Sequence, residues 1–277
     1  MSRSLHRITA VLLVSALLAA CATSPTGRRQ LMLVSEDSAI ASSAQAYVQE
    51  VGKLKKEGKL SSDKALIQRV NSITERLVAQ AILMRPDSAD WAWSVAVIDD
   101  PETVNAWCMA GGRMAIYTGL IDKIDPSDDE VAQVMGHEIG HALANHTAEK
   151  MSVAMASSIG VVAVGVASDN KGAAMAGAAA AAALAVTLPN SRTAETEADR
   201  IGIELAAKAG YDPAAAVTLW RKMNNLPGGQ PPQFLSTHPN PEKREKTLAK
   251  LGPEMDPYYR ADSPRPAHPV QSVTALD

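Results

Sequence analysis

The sequence predicts a mainly α-helical α+β fold, and three observations carry that prediction. Alanine, valine and leucine dominate the apolar residues while phenylalanine occurs once, which suits a helical core built from small side chains. Helical spacing of apolar residues recurs over 36–57, 61–83 and 128–149. Two-residue alternation appears in short runs, at Trp91–Val97 and Met114–Thr118, as expected of a small sheet.

Taken in order, the chain opens with Arg3 and Arg7 in a short basic start, followed by Ile8–Ala20, which is apolar apart from Thr9 and Ser15. Such a segment is a secretory leader. It is shorter than the roughly 20 residues a membrane-spanning helix needs. Leu18-Ala19-Ala20-Cys21 resembles a bacterial lipobox, implying cleavage before Cys21 and a lipid on its thiol; Ala22 in the next position resembles lipoproteins sorted to the outer membrane. Residues 1–20 are therefore read as a signal peptide, 21–34 as an extended, lipidated tether and 35–252 as the folded domain.

Helices are expected at 36–57 and 61–83, the second broken by Pro86 and Asp87. Trp91, Trp93, Val95 and Val97 alternate with Ala92, Ser94 and Ala96 as a strand that stops at Asp99-Asp100-Pro101. Short strands at 103–109 and 112–118 are separated by Gly111-Gly112. Ser127 suits an N-cap, Glu130 completes a capping box, and Asp128 and Asp129 suit the positive end of the helix dipole. The helix that follows is expected to run to 149, with Val131, Val134, Met135, Ile139 and Ala142 on its apolar side. Two Ala/Gly/Val-rich stretches, 151–168 and 172–188, read as a helical hairpin at the site or on a bilayer surface rather than as spans. Further helices are expected around Glu195 to about 209, at 213–225 with Pro213 at its first position, and at 240–251 carrying Arg244. A Pro/Gly-rich loop, 227–239, carries His238, and Pro253, Pro257, Pro264, Pro266 and Pro269 mark 253–277 as a disordered tail.

The chemistry is concentrated at His137-Glu138-Ile139-Gly140-His141, which reads H-E-x-x-H. Residues four apart share one helix face, so His137 and His141 can offer two imidazole nitrogens to one zinc ion. Glu138 falls beside that face as a general base for the attacking water. Catalytic zinc takes a third protein ligand and keeps its fourth position for water. In Glu195-Thr196-Glu197-Ala198-Asp199, Glu195 and Asp199 are again four apart and Glu197 lies roughly opposite. Glu195 is assigned as third ligand, and Asp199 as the acceptor for the outer N–H of His137. His146 lies far round the helix from His137 and is not assigned as a ligand. It is read as a cation at the helix C-terminus or as a hydrogen-bonder on the substrate side.

H-E-x-x-H followed by E-x-x-x-D within Ser191–Gly202 resembles peptidase family M48, a gluzincin family of zinc metallopeptidases. It includes CAAX prenyl endopeptidases, a mitochondrial inner-membrane stress peptidase and bacterial periplasmic lipoprotein peptidases, and this chain looks most like the last. Thr26–Leu31, Asn105-Ala106-Trp107, Gly111-Gly112 and Ser236-Thr237-His238-Pro239 with Arg244 are similar to further elements of that branch. The resemblance, over about 24–252, implies a metallopeptidase domain with a small sheet bordering the active-site helix, and a strand at 112–118 able to pair with an extended peptide. For His238 and Arg244 it implies two roles. In some members the pair resembles an oxyanion clamp; in some periplasmic relatives the histidine fills the open zinc position and keeps the enzyme latent.

Loss of Arg3 and Arg7 with the leader takes the formal charge from −3 to −5, and no basic stripe is present, so nucleic acid is excluded as a partner. If Cys21 carries lipid, Cys108 has no intrachain partner, and its place between Trp107 and Met109 suits an inert, buried thiol. The expected protein is a metalloendopeptidase holding one zinc ion and lipid-anchored to the periplasmic side of the outer membrane; the resemblance implies misfolded or stalled envelope proteins as its substrates. The alternatives are a chaperone-like or assembly lipoprotein whose site His238 closes, and a structural lipoprotein that binds no metal.

Overall fold

The computed structural model describes residues 21–167, 172, 191–226, 233–238 and 241–275. The expected signal peptide and, apart from Gly172, the second apolar stretch lie outside the described residues. The chain opens with β1 (Cys21–Thr23), β2 (Arg29–Leu31), α1 (Glu36–Lys56) and α2 (Lys64–Met84). After a 3-10 turn at Pro86–Asp90 come β3 (Ser94–Ile98), β4 (Ala106–Met109), β5 (Arg113–Tyr117), α3 (Thr118–Ile124), α4 (Asp128–Leu143) and α5 (His146–Ala167). The last described elements are α6 (Arg192–Lys208), α7 (Ala215–Asn224), α8 (Gln233–Thr237), α9 (Pro241–Tyr259) and β6 (Gln271–Val273). This is the mainly helical α+β arrangement expected. The chain divides into two units, residues 1–39 with 147–188, and residues 40–146 with 189–277.

In the first unit, β1 and β2 pair antiparallel with Cys21 opposite Leu31, so residues expected to be an extended tether form a hairpin. Gly27, at φ 86°, supplies the left-handed residue of the turn. The hairpin is fastened by Arg28 Nη1 and Gln30 Nε2, which donate to the two oxygens of Glu149 at 2.7 and 3.0 Å. Just beyond the hairpin, the Val34 N–H donates to Ser152 Oγ at 2.9 Å. No helix among the described residues is long and apolar enough to cross a membrane.

The second unit holds the sheet and the main core. Its strands run in the order β4-β5-β3-β6. β3 is parallel to both β5, with Ser94 opposite Arg113, and β6, with Ser94 opposite Gln271. β4 is antiparallel to β5, with Cys108 opposite Met114. Because β5 has a partner on each side, it cannot accept a peptide as the resemblance implied; among the described residues the edge on that side is β4.

α2 is capped by Asp63, whose Oδ1 accepts from Ala65 N and Leu66 N, and it buries Val70, Ile73, Leu77, Val78 and Ala81. α4 starts at the expected capping box of Ser127 and Glu130 and is buried from Glu130 to Leu143. It ends earlier than the expected 149, because Asn145 takes a left-handed conformation (φ 55°) and the chain restarts as α5. Arg85 holds that break, its Nη1 donating to Leu143 O at 2.9 Å and Asn145 Oδ1 at 3.2 Å.

α4 and α6 approach almost to backbone contact. A Cβ on Gly136 would stand 2.8 Å from Gly202 O, one on Gly140 2.9 Å from Ala198 O, and one on Gly202 2.6 Å from His137 N. Three glycines therefore set the distance between the helices that bear the chemistry.

The expected disordered tail is folded across 253–273. Buried Leu248, Leu251 and Met255 continue one stripe of α9 into the core, so packing carries the helix through Pro253 and Pro257. Beyond it, Arg265 donates to Ala207 O and Lys208 O at the end of α6 and to Tyr259 O at the end of α9, at 2.6–2.8 Å. Val270 is buried and Gln271 N donates to Trp93 O, which docks β6 on β3.

Candidate metal centre

Three elements of the second unit deliver the site. His137 and His141 come one turn apart from α4, Glu195 comes from the first turn of α6, and His238 follows α8. α8 is pinned by Phe234, which is 1% exposed, donates its N–H to Val104 O and packs its ring 5.6 Å from Trp220 and 4.6 Å from His238.

The four side chains converge. His137 Nε2 lies 3.1 Å from His141 Nε2, 3.5 Å from Glu195 Oε2 and 3.2 Å from His238 Nδ1. Glu195 lies 3.3 Å from His141 Nε2 through Oε1 and 3.1 Å from His238 Nδ1 through either oxygen. A tetrahedral ion with bonds of about 2.0–2.1 Å requires donor atoms about 3.3 Å apart, close to the separations measured from His137 and Glu195, and all four ligand atoms lie within 4.8 Å of one another. All four residues are buried, and three imidazoles with one carboxylate is a donor set suited to a borderline metal.

Around this cluster the polar groups are tightly organised. His137 Nδ1 lies 3.1 Å from Asp199 Oδ1 and 2.9 Å from Arg244 Nη2. Burial and the Arg244 guanidinium oppose charge on His137, but its hydrogen bonds to Asp199 and Glu195 prevail and hold its pKa up at about 9. Burial pushes His141 well below its ordinary value. Burial also opposes ionisation of Glu195, yet hydrogen bonds from His137, His141 and His238 hold its carboxyl below the usual range. Asp199 is lowered likewise: burial opposes its ionisation, but the Arg244 charge together with contacts to His137 and Arg244 prevails. Glu138 is the exception: burial raises it, and its Oε1 has no hydrogen-bond partner among the described residues, lying 3.4 Å from His238 Nε2.

Arg244, which the resemblance assigns with His238 to an oxyanion clamp, faces two carboxylates. It is 5% exposed, stacks 3.7 Å from the Trp220 ring, donates Nε to Asp199 Oδ2 at 2.9 Å, and forms an ion pair with Glu195, Nη1 standing 3.0 Å from Oε2. Its charge is spent on two carboxylates that support the cluster. Cys108, on β4, is free and half-buried, its thiol pushed well above the ordinary value by burial and the Glu138 charge, in keeping with an inert thiol. His146, read from the sequence as a helix-end cation or a substrate-side hydrogen-bonder, and Glu197 instead sit behind His141, with His146 Nδ1 2.8 Å from His141 Nδ1, a place that sequence reasoning missed. The left-handed Asn145 brings His146 there, and the signal for it was an asparagine at a helix end.

A sequence profile of peptidase family M48 matches residues 65–251. The chain belongs to peptidase family M48. Among its curated relatives are the mitochondrial metalloendopeptidases OMA1 of Arabidopsis thaliana, 41% identical over 57% of this chain and 31% of that protein, and of Schizosaccharomyces pombe, 34% identical over 67% and 52%. The beta-barrel assembly-enhancing protease of Escherichia coli K12 is 29% identical over 75% of this chain and 43% of that protein. The chain thus spans about a third to a half of the length of the curated relatives it matches. The M48 match encloses all four converging side chains together with Glu138, Asp199 and Arg244, whereas the hairpin of β1 and β2 and strand β6 lie outside it.

Proposed function

We propose that this chain is a zinc-dependent metalloendopeptidase of envelope proteins, serving quality control from a lipid anchor at Cys21 on the periplasmic side of the bacterial outer membrane. The observation that carries the activity is the buried donor set of His137, His141, Glu195 and His238, whose ligand atoms all lie within 4.8 Å of one another. The leader ending in Cys21 and the likeness to a beta-barrel assembly-enhancing protease support the envelope setting.

His137, His141 and Glu195 would hold the zinc, which when bound supplies Lewis-acid polarisation of the scissile carbonyl and activates water at neutral pH. Asp199 keeps the proton of His137 on Nδ1, leaving Nε2 free as a donor. Arg244 is a positioning residue that fixes Asp199 and steadies Glu195. Glu138, with an unsatisfied oxygen beside the cluster and a raised pKa, takes the proton of the attacking water and passes it to the leaving amine.

The closeness of His238 Nδ1 to His137 and Glu195 supports a second reading within the first, in which this histidine would take the place that substrate or water needs and keep the enzyme latent. In its limit the chain is an assembly lipoprotein that seldom cleaves. Casein cleavage and zinc content of three proteins separate these readings. Wild type should bind about one equivalent of zinc, Glu138→Gln should keep the zinc and lose cleavage, and His238→Ala should cleave several-fold faster than wild type. Cleavage surviving in Glu138→Gln removes it as general base. Cleavage lost in His238→Ala defeats latency and assigns His238 to the transition state.

A further inference from the structure

We propose that His146 and Glu197 form a positioning relay that orients metal ligand His141, a role resting on the zinc reading above. His141 directs Nε2 to the cluster and Nδ1 away from it, and His146 Nδ1 meets that outer nitrogen at 2.8 Å. His146 Nε2 in turn lies 3.1 Å from Glu197 Oε2. The three residues are 6%, 4% and 5% exposed.

One placement of protons satisfies all of these contacts. A neutral His141 that gives Nε2 to a metal carries its hydrogen on Nδ1. A bond between two Nδ1 atoms has room for one hydrogen, so His141 donates and His146 accepts. His146 then carries its own hydrogen on Nε2 and donates it to the Glu197 carboxylate. Both histidines of α4 therefore end on a carboxylate of α6: His137 directly on Asp199, and His141 through an interposed imidazole on Glu197. On an uninterrupted helix, a residue five places beyond His141 would point about 140° away from it. The left-handed Asn145, held by Arg85, brings His146 back over the ligand.

The partner behind a metal-bound histidine typically changes metal affinity 10–100-fold. The test is zinc affinity by chelator competition on full-length wild type, His146→Leu and His146→Asn, with thermal melts to verify folding. His146→Leu removes the acceptor and should weaken zinc binding at least tenfold. His146→Asn places an oxygen near the lost Nδ1 and should restore most of that affinity, which a merely space-filling role would not predict. Nitrogen-15 spectra of zinc-loaded wild type should show hydrogen on His141 Nδ1 and on His146 Nε2, and this arm needs no variant to fold. Leucine and wild type binding zinc equally, or a His146 hydrogen found on Nδ1, overturns the relay alone. Wild type that takes up no zinc overturns the metal reading and the relay with it.

Discussion

Replacing Gly202 with alanine tests whether main-chain proximity builds this site. A Cβ at that position would lie 2.6 Å from His137 N and 2.8 Å from both Gly136 C and His137 Cα. All three are backbone atoms of the helix that carries two ligands, so no rotamer change relieves them. Opening 2.6 Å to the 3.4 Å of ordinary van der Waals contact takes about 0.8 Å of extra separation between α4 and α6. Glu195 rides on α6, so its present 3.3 Å from His141 and 3.5 Å from His137 should widen on a similar scale. Metal sites tolerate deviations of about 0.2 Å in their bond lengths. Alanine is favoured over glycine inside a helix by about 1 kcal/mol, whereas overpacking costs about 1–3 kcal/mol. With main-chain atoms on the opposing side, the cost should sit at the upper end, for a net loss of about 2 kcal/mol.

Urea unfolding of the metal-free protein reads that stability, and chelator competition reads zinc affinity, expected to fall at least tenfold. Gly52, in α1, is the control: a Cβ there meets nothing within 4 Å, so Gly52→Ala should gain up to about 1 kcal/mol. A Gly202→Ala protein as stable as wild type, with unchanged zinc affinity, would refute the claim that glycine sets the ligand spacing.

Arg265→Ala removes the guanidinium that ties the ends of α6 and α9 together and should cost about 1–2 kcal/mol, because the side chain is half-buried. Limited proteolysis should then cut within 261–273, and an unchanged digestion pattern would show that β6 holds the segment unaided. Glu130 accepts from Ser127 N at 2.9 Å, Thr218 Oγ1 at 2.7 Å and Lys222 Nζ at 2.7 Å. Burial opposes its ionisation, but these partners hold its carboxyl below the usual range. A lowered folded pKa contributes stability above the unfolded value of about 4.3, and the contribution fades as pH falls through the folded value. Glu130→Gln should therefore cost about 2 kcal/mol at pH 7, with the gap to wild type closing below about pH 4 in urea titrations. A gap independent of pH would mean that the charge of Glu130 plays no part.

The sequence carried the core of the site because its geometry is local. His137, Glu138 and His141 occupy one turn of α4, as do Glu195 and Asp199 on α6, and a 3.6-residue period places such residues without knowledge of the rest of the chain. Long helices were legible for the same reason. What stayed hidden depends on tertiary contact. Gly136, Gly140 and Gly202 look unremarkable until two helices face each other. His146 looks misdirected until Asn145 turns the chain. Buried Val270 and the short strand after it were overshadowed by five nearby prolines, yet that strand pairs with β3. Arg244 was singled out by the family resemblance, but which groups absorb its charge is set by the folded interior.

Charge balance gives an independent reason for a metal here. Glu195 and Asp199 are both held ionised, with Arg244 as their shared cation; Glu138 and Glu197 add two further buried carboxyl groups. Buried charge without a counter-charge is costly. Among the described residues the metal-free cluster answers by keeping a proton on His137, whose pKa stands at about 9. A dication between the imidazoles and Glu195 would supply twice that charge at the same place while releasing the proton. Zinc should therefore stabilise the fold. At a free concentration a hundredfold above its dissociation constant, a single site contributes about 2.7 kcal/mol, or about 5–10 °C in Tm for a domain of this size. Differential scanning calorimetry with and without chelator measures that shift. A melting temperature indifferent to zinc would mean that protonation of His137 alone satisfies these carboxylates, and the argument for a resident cation from charge would fall.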